Sequence, residues 1–575
     1  MTAMGVPDAR GNLPPERAGS VSNAEETGTI SESRPMWGSI QQGVVLLFLI
    51  VMAFSLRCFF WRFDPVVTAD GAMYTTVGYN IWHGIGYINH KGGLAYYAAP
   101  LFPLMAGFLS LFVDNIVTCG RLVSALFGSL LCLPIFFLAR RMYGVGAGVF
   151  AAVVIAVLPS LIKWSAYATL EATYMFFLYM AMYSGYRTLT RAHKWDLPAT
   201  GGLFGITALV RQEALIFLGV FLLLYLYHNR QTVFTRPLQM AAKVAICLAV
   251  YLAFTLPFAL YMYGESGHFR LNNKTDIGLH LTKRILETGQ IGLGYETGMM
   301  GLTADGLDIH NGKRLESVKV SLIELVQEYP ADFSRFYASM AYLIFEKYAK
   351  RLMPLVIILL AAIGAWTTLD RKARGDFVYL ACYLLPPLLL YPIFVNHERR
   401  FVPFVPILVI WAAHGLELVA MKIREAKPTW ARRYRLDIAL AVLIGGLLTV
   451  QGVEEAKRAF RPDRMLFEDV ARWMESHSEE GLLMSRTVFV NFYRRKPHVH
   501  IPFTYEYDKF KRYAQHQGIN YVLVSKNLIE RNYPKYIQHL YNRSEIPPEM
   551  SFVKEWKKGQ VGLVLYRFDP TNRQI

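Results

Sequence analysis

The sequence contains apolar runs that are too long and too continuous for a soluble protein. One of them, GVVLLFLIVMAFSL, occupies residues 43–56, and many more follow it along the chain. A run of about 20 apolar residues is long enough to cross the hydrocarbon core of a bilayer. Over the whole chain 54% of residues are hydrophobic and only 18% are charged, which is less charge than a soluble protein carries. The sequence therefore predicts an α-helical polytopic membrane protein.

The spacing of the apolar runs predicts about eleven transmembrane helices. They lie near residues 39–60, 116–139, 145–163, 168–186, 198–211, 213–228, 240–262, 353–369, 376–395, 401–421 and 436–453. With a cytoplasmic N-terminus, the strongly basic loops all follow even-numbered helices, as the positive-inside rule requires. Those loops contain Arg140 and Arg141, Arg187 to Lys194, Arg230 and Arg236, Arg371 to Arg374, and Lys422 to Arg435.

The remaining segments predict the domain organisation. Residues 1–38 are polar and rich in Gly, Ser, Glu and Pro, which is typical of a disordered cytoplasmic tail rather than a cleaved signal peptide. The transmembrane module, residues 39–453, has two large external loops at about 61–115 and 263–352. From 454 to 575 short strand and helix patterns alternate, which predicts a small extracytoplasmic α/β domain.

The overall charge does not indicate nucleic-acid binding. The formal net charge is +17, but much of the excess belongs to the loops that orient the helices. The five cysteines are scattered in or beside apolar segments, without the spacing of a metal site or a disulfide framework.

This topology brings several polar residues to the outer ends of the helices. They are Asp70, Tyr74, His90 and Lys91 in the first loop, Glu171 at the start of the fourth helix, Arg211 and Glu213 between the fifth and sixth, and His397, Glu398, Arg399 and Arg400 between the ninth and tenth. Ionisable groups at membrane depth cost several kcal/mol unless they are paired or functional. Their common level predicts a water-filled cavity open to the outside.

Each of these residues also has an ordinary structural interpretation. Arg399 and Arg400 could anchor a helix end at lipid head groups. Arg211 and Glu213 could form only a local ion pair in a turn, and Asp70 could be a solvated loop acid. Glu171 is harder to explain in this way, because it lies within an apolar and aromatic run.

Four stretches of the chain resemble motifs of the GT-C-fold membrane glycosyltransferases, and one of them, YYAAPLFPLMAG, resembles their Pro-rich interfacial helix. DGAMYTTVGYNIWHGIGY, starting at Asp70, resembles their first-loop motif. ALVRQEALIFLGVFLLL resembles their LxRxE turn, and RRFVPFVPILVIWAAHGLE resembles their late RYxxPxxP segment. The chain is most similar to the group of protein mannosyltransferases and aminoarabinose transferases, in the bacterial form with a small external C-terminal domain.

The resemblance implies transfer of a sugar from a polyprenyl-phosphate carrier to an extracytoplasmic acceptor, which is a lipid, a glycan or a protein. It implies Asp70 as the catalytic acid/base residue and Glu171 as the family's second external acid. Arginine and lysine stabilise a phosphate leaving group, so we expect Arg211, Arg399, Arg400 and Lys91 to bind the donor phosphate. We expect Tyr74, Glu213 and His397 to contact substrate.

The metal requirement is left open by the sequence. Many relatives have a second acid directly after the first-loop Asp, where this chain has Gly71. The glycine argues against a paired acidic motif, so no cofactor is assigned, although a divalent metal remains an option.

Two other classes of protein fit part of the pattern. A transporter or flippase of lipid-linked sugars would also need a basic, aromatic-lined cavity, but should show matching internal repeats. A structural subunit of an envelope assembly would use the C-terminal domain for binding. Within the enzymes, a glycan polymerase or ligase of the same fold is an alternative. The expected location is a bacterial inner membrane, with the C-terminal domain periplasmic or external.

Overall fold

The computed structural model describes residues 38–63, 66–191, 193–267, 274–310, 320–368, 374–394, 397–426, 436–459, 465–477, 479–531, 533–559 and 561–570. The predicted tail up to residue 37 lies outside the described residues, as do parts of two predicted basic loops, 369–373 and 427–435. Of the short N-terminal unit, Met1–Val45, only Gly38 and the first turns of one helix are described. The large unit, Leu46–Ile575, contains every feature discussed below.

Helices make up most of the described chain. Those before the second external loop are α1 (Ser39–Phe60), α2 (Ala69–Trp82), α3 (Leu101–Leu109), α4 (Ile116–Leu130), α5 (Cys132–Tyr143), α6 (Val145–Val157), α7 (Pro159–Ala166), α8 (Glu171–Arg191), α9 (Asp196–Ala208), α10 (Ala214–His228), α11 (Arg230–Thr235) and α12 (Pro237–Ser266). Those of the second loop are α13 (Lys274–Thr288), α14 (Ile291–Met300), α15 (Leu322–Glu328), α16 (Pro330–Leu343) and α17 (Ala349–Leu352), the last two joined by a π-helical turn. Then follow α18 (Leu355–Thr367), α19 (Arg374–Leu390), α20 (Val405–Ala426) and α21 (Leu436–Ala459).

The predicted fold class is confirmed, but the number of transmembrane helices is not settled by helix length. Five helices in the described ranges are long and apolar enough to cross a membrane, or seven if each of two bent pairs is one span. One bent pair is α6 with α7, at an angle of 53°. The first-loop run LFPLMAGFLSLF forms only the short helix α3. The count of about eleven therefore stays a prediction.

The bend between α6 and α7 is held by a buried arginine. Pro159 has no backbone N–H, so it cannot donate to the carbonyl of Ile155 one turn earlier. The guanidinium of Arg57, fully buried in α1, donates to the carbonyls of Ile155 and Ala156 at 3.3 and 3.2 Å. It also donates to the hydroxyl of Ser165 at 2.8 Å, beyond the bend. One cation thus satisfies polar groups on both sides of the break.

Glycines set the closest helix contacts. A Cβ atom on Gly78 of α2 would lie 2.2 Å from the carbonyl oxygen of Pro103, and one on Gly107 of α3 would lie 2.1 Å from that of Gly78. Gly364 of α18 and Gly415 of α20 meet in the same way. Such contacts let helix backbones touch, as is common in membrane proteins.

The C-terminal part is the predicted α/β fold. Its helices are α22 (Leu466–Ser476), α23 (Phe489–Tyr493), α24 (Tyr507–His516), α25 (Lys526–Glu530) and α26 (Lys535–Asn542), and its strands are β1 (Leu482–Ser485), β2 (Val499–His500), β3 (Ile519–Ser525), β4 (Met550–Lys558) and β5 (Val561–Phe568). The strand order is β2-β1-β3-β5-β4. β1 pairs in parallel with β2 and β3, whereas β3, β5 and β4 pair antiparallel.

The sheet is buried on both faces. Val522 and Val524 belong to one apolar cluster, while Tyr521 and Leu523 belong to another, as the alternation along a strand requires. The first cluster also contains Met300 and Ile309 of the second external loop. That loop and the C-terminal fold therefore share one hydrophobic core.

The Arg57 contacts predict a stability effect. Arg57→Met keeps the length of the side chain but leaves the carbonyls of Ile155 and Ala156 without their donors. Each unsatisfied buried group costs about 1–3 kcal/mol, so the free energy of unfolding should fall by about 3 kcal/mol. Thermal unfolding in detergent, followed by tryptophan fluorescence, measures this. Arg62→Met, at an exposed position beyond α1, is the matched control, and equal losses for both variants would contradict the role given to Arg57.

Candidate active site

Asp70 lies in the first turn of α2, and the local sequence explains its position. The side-chain oxygen of Thr68 accepts a hydrogen bond from the backbone N–H of Gly71 at 3.0 Å and caps the helix. Threonine is a favoured capping residue, and an acid in the first turn interacts favourably with the helix dipole. The segment Thr68–Gly71 therefore starts the helix and presents the Asp70 carboxylate at its N-terminal end.

Gly71 is required by close packing. A Cβ atom at this position would lie 2.9 Å from the carbonyl oxygen of Ala168 and 2.9 Å from the Thr68 side-chain oxygen. A second acidic residue directly after Asp70 does not fit here without a backbone shift. The close contact between α2 and the segment before α8 therefore accounts for glycine rather than a second acid at position 71.

One arginine lies between two acids. The Nη2 atom of Arg399 forms an ion pair with Oδ2 of Asp70, and its Nε atom lies 4.0 Å from Oε1 of Glu171. Glu171 begins α8 and is buried. Its Oε2 atom is buried without a hydrogen-bond partner in the part of the chain that the structure describes. The three charged groups come from the first loop, α8 and the 3₁₀ turn Glu398–Arg400.

A second charged group adjoins the first. Arg211 and Glu213, in the turn between α9 and α10, form an ion pair of 2.7 Å, and the Arg211 guanidinium lies over the Tyr174 ring. Arg211 also interacts electrostatically with Glu171, which links the two groups. Arg400 interacts with Glu213 and Arg211, yet it forms no ion pair within 4.0 Å with the described residues.

Two tyrosines of the first loop, Tyr74 and Tyr97, lie close enough to Asp70 to interact with its charge. Tyr74 is buried one turn after Asp70 and packs edge-on against Phe102. Burial, followed by the carboxylates of Asp70 and Glu171, raises the pKa of the Tyr74 phenol well above its usual value. Burial and the Asp70 carboxylate also raise the pKa of Tyr97 to about 12. Both phenols are therefore neutral near pH 7.

The sequence indicated Glu398, but sequence reasoning missed the two cations that hold the Glu398–Arg400 turn. Glu398 accepts ion pairs from Lys163 of α7 at 3.0 Å and from Arg351 of α17 at 3.6 Å. His397, predicted to contact substrate, caps this turn by accepting from the Arg399 backbone N–H at 3.4 Å. Lys163 carried a usable signal, because it is a cation at the end of an apolar run, as Glu171 is an anion in one.

Lys91, which the sequence places with Arg211, Arg399 and Arg400 as a phosphate-binding cation, faces the C-terminal fold instead. It is 3% exposed, and its charge interacts with Asp308 of the second loop and Arg486 of the C-terminal fold. Burial lowers the pKa of Lys91 to about 7. The first loop turns back on itself here, from Ile88 to Leu94, and directs this side chain toward the C-terminal fold. The predicted contact of Lys91 with donor phosphate is untested.

The C-terminal fold packs directly on the helix that carries Asp70. Val67 and Ala72 form an apolar cluster with Val117, Val488 and Phe492, the last two from the C-terminal fold. Deeper in this part, Glu296 of α14 accepts ion pairs from Arg486 and Arg531 at 2.9 and 2.7 Å. The position of α2 thus depends on the C-terminal fold as well as on the neighbouring helices.

The acids of the site do not form a metal-binding set in the described ranges. No group of three or more His, Cys, Asp or Glu side chains there is arranged to hold a metal ion. Arg399 lies between Asp70 and Glu171, and Gly71 leaves no room for a further acid. The described residues therefore do not fit a metal ion at this position.

Known proteins share this fold. Residues 98–257 match the family described as dolichyl-phosphate-mannose-protein mannosyltransferase. ArnT from Cupriavidus metallidurans, solved with undecaprenyl phosphate, is 14% identical with a TM-score of 0.55, over 92% of this chain and 98% of its own. The oligosaccharyltransferase of Archaeoglobus fulgidus, in the apo form, is 13% identical with a TM-score of 0.58, over 85% of this chain and 70% of its own. The oligosaccharyltransferase AglB from Archaeoglobus fulgidus, solved with an inhibitory peptide and a dolichol-phosphate, is 12% identical with a TM-score of 0.55, over 93% of this chain and 74% of its own.

No curated protein sequence matches the chain. The resemblance stated from the motifs is nevertheless confirmed, because the chain has the GT-C fold of membrane glycosyltransferases. Together with its apolar helices, this makes it an integral membrane protein.

Three buried histidines predict that acid weakens the contact between the first loop and the C-terminal fold. The backbone N–H of His498 donates to the carbonyl of His90 at 2.8 Å, and the rings of His498 and His500 are 3.0 Å apart at their nearest nitrogens. Burial, with Lys91 adding repulsion, lowers the pKa of His90 from 6.5 to about 3, and those of His498 and His500 also fall well below 6.5.

The folded form therefore binds fewer protons than the unfolded one. Its stability is fully present above about pH 6.5 and is lost as the pH falls below that value. We expect the unfolding temperature to fall between pH 7.5 and pH 5, and to fall less for His498→Gln, whose amide does not titrate. His516→Gln, at an exposed position of the same fold, is the control. A pH dependence that is equal in both variants would contradict this assignment.

Proposed function

We propose that the protein transfers a sugar from a polyprenyl-phosphate-linked donor to an acceptor on the extracytoplasmic side of the membrane. One observation carries the proposal, which is the convergence of two acids and three arginines from distant segments. They are Asp70, Glu171, Arg211, Arg399 and Arg400. A general base and a set of phosphate-binding cations are the two things that this reaction needs.

The arginines supply electrostatic stabilisation to the leaving group. As the bond between the anomeric carbon and the phosphate oxygen breaks, negative charge develops on the phosphate. Guanidinium groups bind phosphate through paired hydrogen bonds, and their stabilisation grows as the charge develops. Arg400 is well suited to this task, because it forms no ion pair within 4.0 Å in the described part of the chain.

Asp70 acts as the general base. It takes the proton from the acceptor hydroxyl or amine while the acceptor oxygen or nitrogen forms its bond to the anomeric carbon. The electron pair of the broken bond leaves with the phosphate. Asp70 is half-buried, so it is open to a substrate, whereas Glu171 is more deeply buried behind Arg399. If Asp70 is not the base, Glu171 is the alternative. If Asp70 is the base, Glu171 serves to orient Arg399.

The lipid nature of the donor is supported by the relatives of the same fold. The ArnT structure contains undecaprenyl phosphate, and the AglB structure contains a dolichol-phosphate and a peptide. A lipid-borne sugar also explains why the site lies beside transmembrane helices. We place the protein in a bacterial inner membrane with its C-terminal fold outside the cytoplasm, with a lipid, glycan or protein as acceptor.

Asp70→Asn should remove turnover while leaving the shape of the site. General acid–base contributions are about 10²–10⁴-fold, so the rate of sugar transfer should fall by about that factor. The measurement is single-turnover transfer from radiolabelled polyprenyl-phosphate sugars, with membrane extract as the source of acceptor. Glu171→Gln is assayed in parallel as the matched neutralisation of the second acid.

Two results would count against this assignment. A near-normal rate for Asp70→Asn with a large loss for Glu171→Gln would make Glu171 the base. Transfer that is unchanged in both variants would contradict the proposed function.

A further inference from the structure

We propose that Arg399 changes partners during catalysis, so that the donor phosphate takes Arg399 from Asp70 and thereby frees Asp70 to act as the base. The inference rests on the proposed function and adds to it a coupling between donor binding and the activation of the base.

The geometry of the bridge is asymmetric. Arg399 points Nη2 toward Asp70 and Nε toward Glu171, so the two acids contact neighbouring nitrogens along one edge of the guanidinium. The side chains of Asp70 and Arg399 are each 34% exposed, whereas that of Glu171 is 6% exposed. A ligand entering the site therefore reaches Arg399 on the Asp70 side, at Nη2, while Glu171 can stay beside Nε.

The pairing and the proposed role of Asp70 oppose each other. A cation in contact with a carboxylate favours its ionised form and reduces its affinity for a proton. Asp70 therefore becomes a stronger base once the Nη2 atom of Arg399 has moved away from its Oδ2 atom.

A donor phosphate is a suitable competitor for Arg399. It is an anion that can accept two parallel hydrogen bonds from one guanidinium, which makes the pairing stronger than a single contact. Arg400, the next residue, adds a second cation, and it forms no ion pair within 4.0 Å with the described residues. The neighbouring cations thus favour the phosphate over Asp70 as the partner of Arg399.

The backbone of the turn is held while the side chain moves. Glu398, directly before Arg399, is fixed by Lys163 and Arg351, which belong to different helices. The exchange is therefore a swing of one side chain about a fixed turn. Its consequence is an order of events, in which an acceptor loses its proton only in a site that already holds the donor.

Competition between Asp70 and phosphate for one arginine makes an unusual prediction. Neutralising Asp70 should strengthen the binding of undecaprenyl phosphate, although it abolishes transfer. A half-exposed ion pair contributes modestly, so the dissociation constant should fall by about fivefold in Asp70→Asn. Titration calorimetry of the purified protein in detergent measures this directly, with Asp70→Ser as a second variant should the first not fold.

A double-mutant cycle separates exchange from simple repulsion between an acid and an anion. Repulsion by Asp70 would persist in an Arg399→Gln background, whereas competition for Arg399 would disappear there. We therefore expect Asp70→Asn to tighten binding about fivefold in the wild type and to leave it unchanged in Arg399→Gln. Undecaprenol, which lacks the phosphate, should bind the wild type and Asp70→Asn alike.

The outcomes distinguish this inference from the function on which it rests. Unchanged or weaker binding by Asp70→Asn, or equal tightening in both backgrounds, would overturn the exchange. A large loss of turnover in the same variant would still leave Asp70 as the base. A wild-type protein that does not bind undecaprenyl phosphate at all would overturn both the exchange and the lipid-phosphate donor.

Discussion

The bridge from Asp70 through Arg399 to Glu171 joins three parts of the chain that are far apart in sequence. Glu171 lies in an apolar environment where a lone carboxylate is costly, and the neighbouring guanidinium offsets that cost. At the more exposed end of the bridge, the ion pair between Asp70 and Arg399 stabilises both charges. The arrangement of α2, α8 and the turn before α20 is therefore tied to one cation, and the chemistry of the site follows from how that cation is shared.

The surrounding scaffold keeps this bridge in place from several directions. Backbone contact between Gly78 and Gly107 fixes α2 against α3, and Arg57 holds the bend that leads to Lys163. Lys163 in turn anchors Glu398, next to Arg399. The C-terminal fold also packs on α2, through Val488 and Phe492. The contacts that stabilise the fold therefore also hold the residues of the candidate site in place.

Much of this was predictable from the sequence, for a physical reason. Charges are rare beside apolar runs, so topology alone places Asp70, Glu171, Arg211, Arg399 and Arg400 at one level, and the structure brings them together. Lys91 shares that level but faces the C-terminal fold, because loop direction is not contained in hydropathy. The anchoring of Glu398 and the steric need for Gly71 depend on helix contacts that no local pattern reveals.

The most direct test of the account is a structure of the protein in nanodiscs with undecaprenyl phosphate bound. The account predicts a phosphate within hydrogen-bond distance, about 3 Å, of both Arg399 and Arg400, with the lipid chain leaving along the transmembrane helices. It also predicts a longer distance from Asp70 to Arg399 than in the same protein prepared without the lipid. A phosphate bound away from these arginines, for example at Lys91, would contradict it.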